Sequence, residues 1–136
     1  MRSLKTIIKL NRNLLNEIIL EKNQIEQNFS ELNEKQKKLK KEYEQELELY
    51  YNSQFAFAID NYVSNTQKII NNYQKQKNSM TTLLSNINNK INDQFIELKK
   101  YQIIYDKFQK TNKEKNLKET ERNNDEINSI KFNNNE

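Results

Sequence analysis

The side chains that could perform chemistry in this chain are few, and their types restrict what that chemistry could be. Nucleophilic catalysis by serine, cysteine, threonine or lysine needs a base beside it, and there is no cysteine and no histidine here. The serines are scattered, and none sits in the strand–turn–helix setting that would expose an activated hydroxyl. A transition-metal site needs histidine, cysteine or converging carboxylates, and Asp60, Asp93, Asp106 and Asp125 lie far apart in the chain. With no glycine, a glycine-rich phosphate loop cannot form. The expectation is therefore no enzyme, no cofactor and no metal, with function carried by shape and exposed surface.

Two segments stand out as contact surfaces. The first is aromatic: Tyr50, Tyr51, Phe55, Phe57 and Tyr62 fall within 13 residues. Exposed aromatic patches mark partner surfaces, and the competing reading is that these rings only cap the end of a helical hairpin. The second is the C-terminal group Ile127, Ile130 and Phe132, set among charges and asparagines, whose competing reading is a disordered end.

The elements that position these residues follow from composition. The chain has 136 residues with neither glycine nor proline, 34% hydrophobic and 31% charged residues. Glycine and proline punctuate folds built from many turns, so sandwiches, barrels and doubly wound sheets are disfavoured. The apolar content is too small for a thick core but sufficient for a seam between two helices. The net charge of +4 is spread thinly: residues 1–50 carry 10 basic and 9 acidic side chains. The densest basic run, Lys35 to Lys41, is followed at once by Glu42, Glu44, Glu46 and Glu48. Phosphate binding needs a patch of one sign, so these charges read as solvated helix faces and no nucleic-acid partner is expected. The 24 asparagines match the codon bias of an AT-rich genome and are given no function.

Steps of four and three from Leu4 give Leu4, Ile8, Asn11, Leu15, Ile18, Lys22, Ile25, Phe29, Leu32, Gln36, Leu39, Tyr43, Glu46 and Tyr50. Ten of these 14 are apolar or aromatic, where composition alone would place about five. This is a coiled-coil stripe, in which the polar members Asn11, Lys22, Gln36 and Glu46 can set register at some cost in stability. An arm of about 47 residues would extend roughly 70 Å. The stripe breaks near Asn52 and Ser53, which suit a turn; Asn52, Ser53, Asp60 and Asn61 are all candidate caps for a second helix. That arm shows Tyr62, Thr66, Ile69, Tyr73, Gln76, Met80, Leu83 and Ile87, then Ile91, Gln94, Leu98, Tyr101, Tyr105 and Phe108. Two steps of four at Leu83, Ile87 and Ile91 read as a stutter. The fold expected is all-α: one coiled-coil domain over residues 1–136, an antiparallel two-helix hairpin. Helix 1 is expected at about 3–51, the turn region at about 51–60 and helix 2 at about 60–122, with a frayed or disordered tail and Leu4 brought near Phe108. No stretch reaches the roughly 20 apolar residues of a membrane span, and the first 20 residues lack a signal-peptide core; a cytoplasmic location is expected.

At this point the sequence resembles a family. Leu4-Lys5-Thr6-Ile7-Ile8-Lys9-Leu10 is similar to the start of the FliJ family, and Phe55-Ala56-Phe57-Ala58-Ile59-Asp60-Asn61-Tyr62 is similar to its turn region. Phe95-Ile96-Glu97-Leu98-Lys99-Lys100-Tyr101 and Asn124-Asp125-Glu126-Ile127 resemble the end of its second helix, especially in alphaproteobacterial members. The likeness covers nearly the whole chain in layout. It implies a coiled coil similar to the central stalk of rotary ATPases, seated in the hexameric flagellar export ATPase. It also implies contact with the export gate membrane protein, handling of export chaperones, and peripheral association with the cytoplasmic face of the inner membrane. Carried onto this chain, Tyr62, Ile69 and Tyr73 would meet the gate, with Asn65, Asn72 and Gln76 departing from the family pattern. Leu4, Ile8, Phe108, Ile127 and Ile130 would engage the ATPase ring. A stalk of a virulence-type secretion system shares this architecture, and a generic scaffold that dimerises through the same stripe is the reading of a different class.

Overall fold

The computed structural model describes the backbone of residues 3–51 and 56–134 and the side chains of residues 3–51 and 59–130. It contains two long helices, α1 (Leu4–Tyr51) and α2 (Ala56–Asn134), packed against each other as an antiparallel hairpin. Among the described residues there is no strand. The packing divides the chain into two compact units, Leu14–Asp93 and Met1–Asn13 with Gln94–Glu136.

Helix α1 starts at a cap. The Thr6 amide donates to the Ser3 hydroxyl at 3.3 Å, and the Ser3 carbonyl accepts from Thr6 at 3.0 Å and from Ile7 at 3.2 Å. This satisfies amide groups that the first turn otherwise leaves without partners. The candidate turn residues Asn52 and Ser53, with Phe55, lie outside the described residues. Asp60 and Asn61 do not cap α2; they lie inside it, because the helix already begins at Ala56. At its other end α2 continues to Asn134, beyond the expected limit at 122. No glycine or proline interrupts that segment. Opposite charges recur four residues apart at Lys110/Glu114, Glu114/Lys118, Lys115/Glu119 and Arg122/Glu126, a spacing that supports an exposed helix.

All fourteen stripe positions on α1 are buried or half-buried. On α2 the register differs from the sequence reading. The side chains turned inward are Ile59, Val63, Thr66, Ile70, Tyr73, Lys77, Met80, Leu84, Ile87, Ile91, Gln94, Leu98, Tyr101 and Tyr105, with Tyr62 half-buried beside them. These alternate in steps of four and three without interruption, so there is no stutter. Ile69, Gln76 and Leu83 are exposed, as is Phe108; the last α2 member of the seam is Tyr105. The difference arises at adjacent pairs, Ile69-Ile70 and Leu83-Leu84, where either residue satisfies an apolar pattern.

Polar layers cross the seam. In the Leu14–Asp93 unit Gln36, only 3% exposed, donates from Nε2 to the Gln74 Oε1 at 3.2 Å and to the Ile70 carbonyl at 3.4 Å. Its Oε1 accepts from Lys77 Nζ at 2.9 Å. The same ammonium donates to Asn33 Oδ1 at 2.8 Å and lies 5.6 Å from the centre of the Phe29 ring. In the other unit Gln94 Nε2 donates to Asn11 Oδ1 at 2.8 Å, and Asn11 Nδ2 donates to the Ile7 carbonyl at 2.8 Å. Among the described side chains no buried polar atom lacks a partner.

The seam is thin. Its buried apolar residues are Ile8, Leu15, Leu32, Ile87 and Leu98, and among the described side chains none is less than 2% exposed.

Two predictions follow from the register and its polar layer. Leu84→Ala lowers unfolding free energy by about 1–2 kcal/mol, whereas Leu83→Ala stays within about 0.5 kcal/mol; urea titration followed by circular dichroism measures both, and equal losses would contradict the register. Gln36→Ala, which strips Lys77 and Gln74 of a partner, costs about 1–3 kcal/mol. Gln36→Leu combined with Lys77→Leu is at least as stable as the parent, since an apolar layer replaces a half-buried polar one.

Candidate interaction surfaces

At the α1 C-terminal end of the Leu14–Asp93 unit, aromatic rings close the seam. Tyr62 stacks on Tyr43 with centroids 6.2 Å apart and planes at 21°, and meets Tyr50 at 6.2 Å and 46°. Such pairs contribute about 0.5–1.5 kcal/mol beyond the area they bury. Tyr50 and Tyr62 are thus half-buried members of the packing, while Tyr51 is 91% exposed. The side chains of Phe55 and Phe57 lie outside the described residues.

The residues assigned to a gate contact divide in the same way. Tyr73 is half-buried in the seam, and Ile69 is 45% exposed on the outer face of α2. Asn65, Asn72 and Gln76 are exposed with it. Their spacing of four, three and four places all four on one helical face. Of the residues assigned to the ATPase ring, Ile8 is buried and Leu4 half-buried, so both serve the seam. Phe108, Ile127 and Ile130 are exposed; the side chain of Phe132 lies outside the described residues. Every described side chain from Asp106 to Ile130 is exposed, so this part of α2 has no partner within the described chain.

Two further surfaces lie in the unit formed by Met1–Asn13 and Gln94–Glu136. One is an open groove where Lys5, Lys9 and Arg12 of α1 stand across from Gln102, Tyr105 and Asp106 of α2. The other is the outer face of α2 at Phe95, Ile96, Lys99, Lys100, Ile103 and Ile104. Sequence reasoning passed over this second face. The signal was present in two adjacent apolar pairs, Phe95-Ile96 and Ile103-Ile104, which flank seam residues and exceed what one seam can absorb.

The charged block from Lys35 to Glu48 lies on exposed faces apart from the half-buried Glu46. The described ion pair is a different one, Lys22 with Glu26 at 3.8 Å along α1. Among the described residues no three histidine, cysteine or acidic side chains form a group able to hold a metal ion, and no helix is long and apolar enough to cross a membrane. Compared with models of protein families, with curated proteins and with solved structures, the chain finds no match.

The seam and surface assignments separate by mutation. Tyr62→Ala is expected to cost about 1–3 kcal/mol through lost ring packing, and Ile69→Ala to change stability by less than about 0.5 kcal/mol. Chemical denaturation of the two variants measures this, and a large loss at Ile69 would place it in the seam.

Proposed function

We propose that this chain is a non-enzymatic stalk of a type III protein export apparatus, coupling a hexameric export ATPase to the export gate and assisting export chaperones. The observation that carries the reading is the unequal length of the arms. Helix α1 ends its pairing at Leu4, and α2 goes on past Tyr105 to Asn134 with its described side chains exposed. A solitary helix of this kind is marginal in water, because helical stability in proteins comes chiefly from packing. It gains stability when a socket receives it, and Phe108, Leu117, Ile127 and Ile130 supply exposed apolar anchors for that purpose. The resemblance to the FliJ family gives the socket an identity, the pore of the ATPase ring. In this reading Ile69 and its face on α2 turn toward the gate. Membrane association is peripheral and comes through the apparatus.

The flagellar system is favoured over a virulence-type one by the turn segment Phe55–Tyr62 and by Asn124-Asp125-Glu126-Ile127. A scaffold that dimerises through its stripe is disfavoured, since the stripe residues of both helices are already turned inward within one chain.

The purified chain should bind the flagellar ATPase and raise its hexamer formation and hydrolysis rate. Removing residues 109–136 should abolish that stimulation and leave the thermal unfolding of the hairpin nearly unchanged, because the described part of this segment contributes no buried side chain. Absence of binding by the full chain, or full stimulation by the shortened one, would overturn the reading.

A further inference from the structure

From Phe95 to Ile104, helix α2 is apolar on two opposite sides. Its inner side carries Leu98, buried at 6% exposure, with Glu97, Tyr101 and Gln102 half-buried. Every exposed residue in the segment is either apolar or lysine: Phe95 (50% exposed), Ile96 (64%), Lys99, Lys100, Ile103 (52%) and Ile104 (46%). Ile96 and Ile103 are seven residues apart and lie directly opposite the seam. A helix that carries apolar residues beyond its packed stripe leaves them for other structure to cover, and among the described residues of this unit none covers the outer side. Two lysines lie between these isoleucines in the chain, Lys99 reaching back toward Phe95 and Lys100 toward the neighbouring Tyr101. Lys99 Nζ is 6.0 Å from the Phe95 ring centre and Lys100 Nζ is 6.0 Å from that of Tyr101. Their stems extend the apolar surface while the ammonium groups border it.

We propose that this face docks an amphipathic helix of a partner protein, with apolar residues at three- and four-residue spacing flanked by glutamate or aspartate. The charge pattern selects this occupant. A second copy packed by a two-fold axis through the same face would bring Lys99 and Lys100 against their own counterparts, and like charges across an interface suppress association. An acidic helix instead places carboxylates opposite both ammonium groups while its leucines cover Ile96 and Ile103. This inference does not rest on the export reading: the face lies on α2 before the unpaired segment and involves none of the residues assigned to the ring or the gate.

The test uses the full chain and two fluorescent synthetic 18-residue helices. Both carry leucine at positions i, i+3, i+4 and i+7; one has glutamate on its flanks and the other lysine. Fluorescence anisotropy is expected to show binding of the glutamate helix and at least about tenfold weaker binding of the lysine helix. Ile96→Ser with Ile103→Ser should weaken the glutamate helix about tenfold or more, and Lys99→Glu with Lys100→Glu should reverse the preference between the two helices. Both pairs lie on the exposed face, and circular dichroism checks that each variant keeps the parent's helicity and unfolding midpoint. Failure of the glutamate helix to bind, or binding insensitive to both pairs of substitutions, overturns the proposal. So does a concentration-dependent dimer in sedimentation that Ile96→Ser with Ile103→Ser disperses, which would assign the face to a second copy. Co-sedimentation with phosphatidylserine vesicles lost in that same variant would assign it to lipid.

Discussion

A lysine ammonium can stand between two helices only where acceptors meet it, and for Lys77 they do so in one register. Asn33 and Gln36 take its protons at 2.8 and 2.9 Å, and the Phe29 ring lies beneath it. Gln36 is in turn held by Gln74 and by the Ile70 carbonyl. Sliding α2 by one heptad along α1 would part Asn11 from Gln94. It would also leave the Gln36 amide, only 3% exposed, without its partners, at a cost of about 1–3 kcal/mol. The seam's least apolar layer is therefore the one that distinguishes its register from neighbouring ones, the role best attested for buried polar residues in coiled coils.

With register fixed, the rest of the unit follows. Ile70 and Leu84 turn inward and Ile69 and Leu83 outward because Lys77 is inward and the helical period does the rest. The tyrosines at positions 43, 50 and 62 then come within stacking distance. Asn11 and Gln94 form a second polar pair in the other unit by the same logic of mutual satisfaction.

A two-helix seam buries one stripe of each helix and no more, so the chemistry of this chain is the chemistry of its outer faces. Where an outer face is mixed and charged, as from Lys35 to Glu48, solvation suffices to explain it. Where it is apolar over several turns, as at Phe95 to Ile104, solvation does not, because each exposed isoleucine leaves unfavourable apolar area in water. The same reasoning separates the residues assigned to partners. Ile8 is buried in the seam and Tyr62 and Tyr73 are half-buried members of it, whereas Ile69, Phe108, Ile127 and Ile130 are exposed.

The sequence by itself determined that the chain is helical, because nothing in it can terminate or sharply bend a helix outside the segment near Asn52. It also determined the inward face of α1, since its apolar residues recur at one period with few neighbours to compete. The inward face of α2 was legible in part: Thr66, Tyr73, Met80, Ile87 and the stripe positions from Ile91 to Tyr105 are turned inward as read, whereas Ile69, Gln76, Leu83 and Phe108 are exposed. Before Ile87 the adjacent pairs Ile69-Ile70 and Leu83-Leu84 satisfy two registers equally, and the correct one requires a lysine where a glutamine fits the pattern as well. Only the tertiary structure could decide, because the partners that admit Lys77 to the seam lie on the other helix, more than 40 residues away in the chain. The exposed face at Phe95 to Ile104 needed the same step: apolar residues in a helix signal burial, and which of them the seam leaves uncovered is settled by where the partner helix lies.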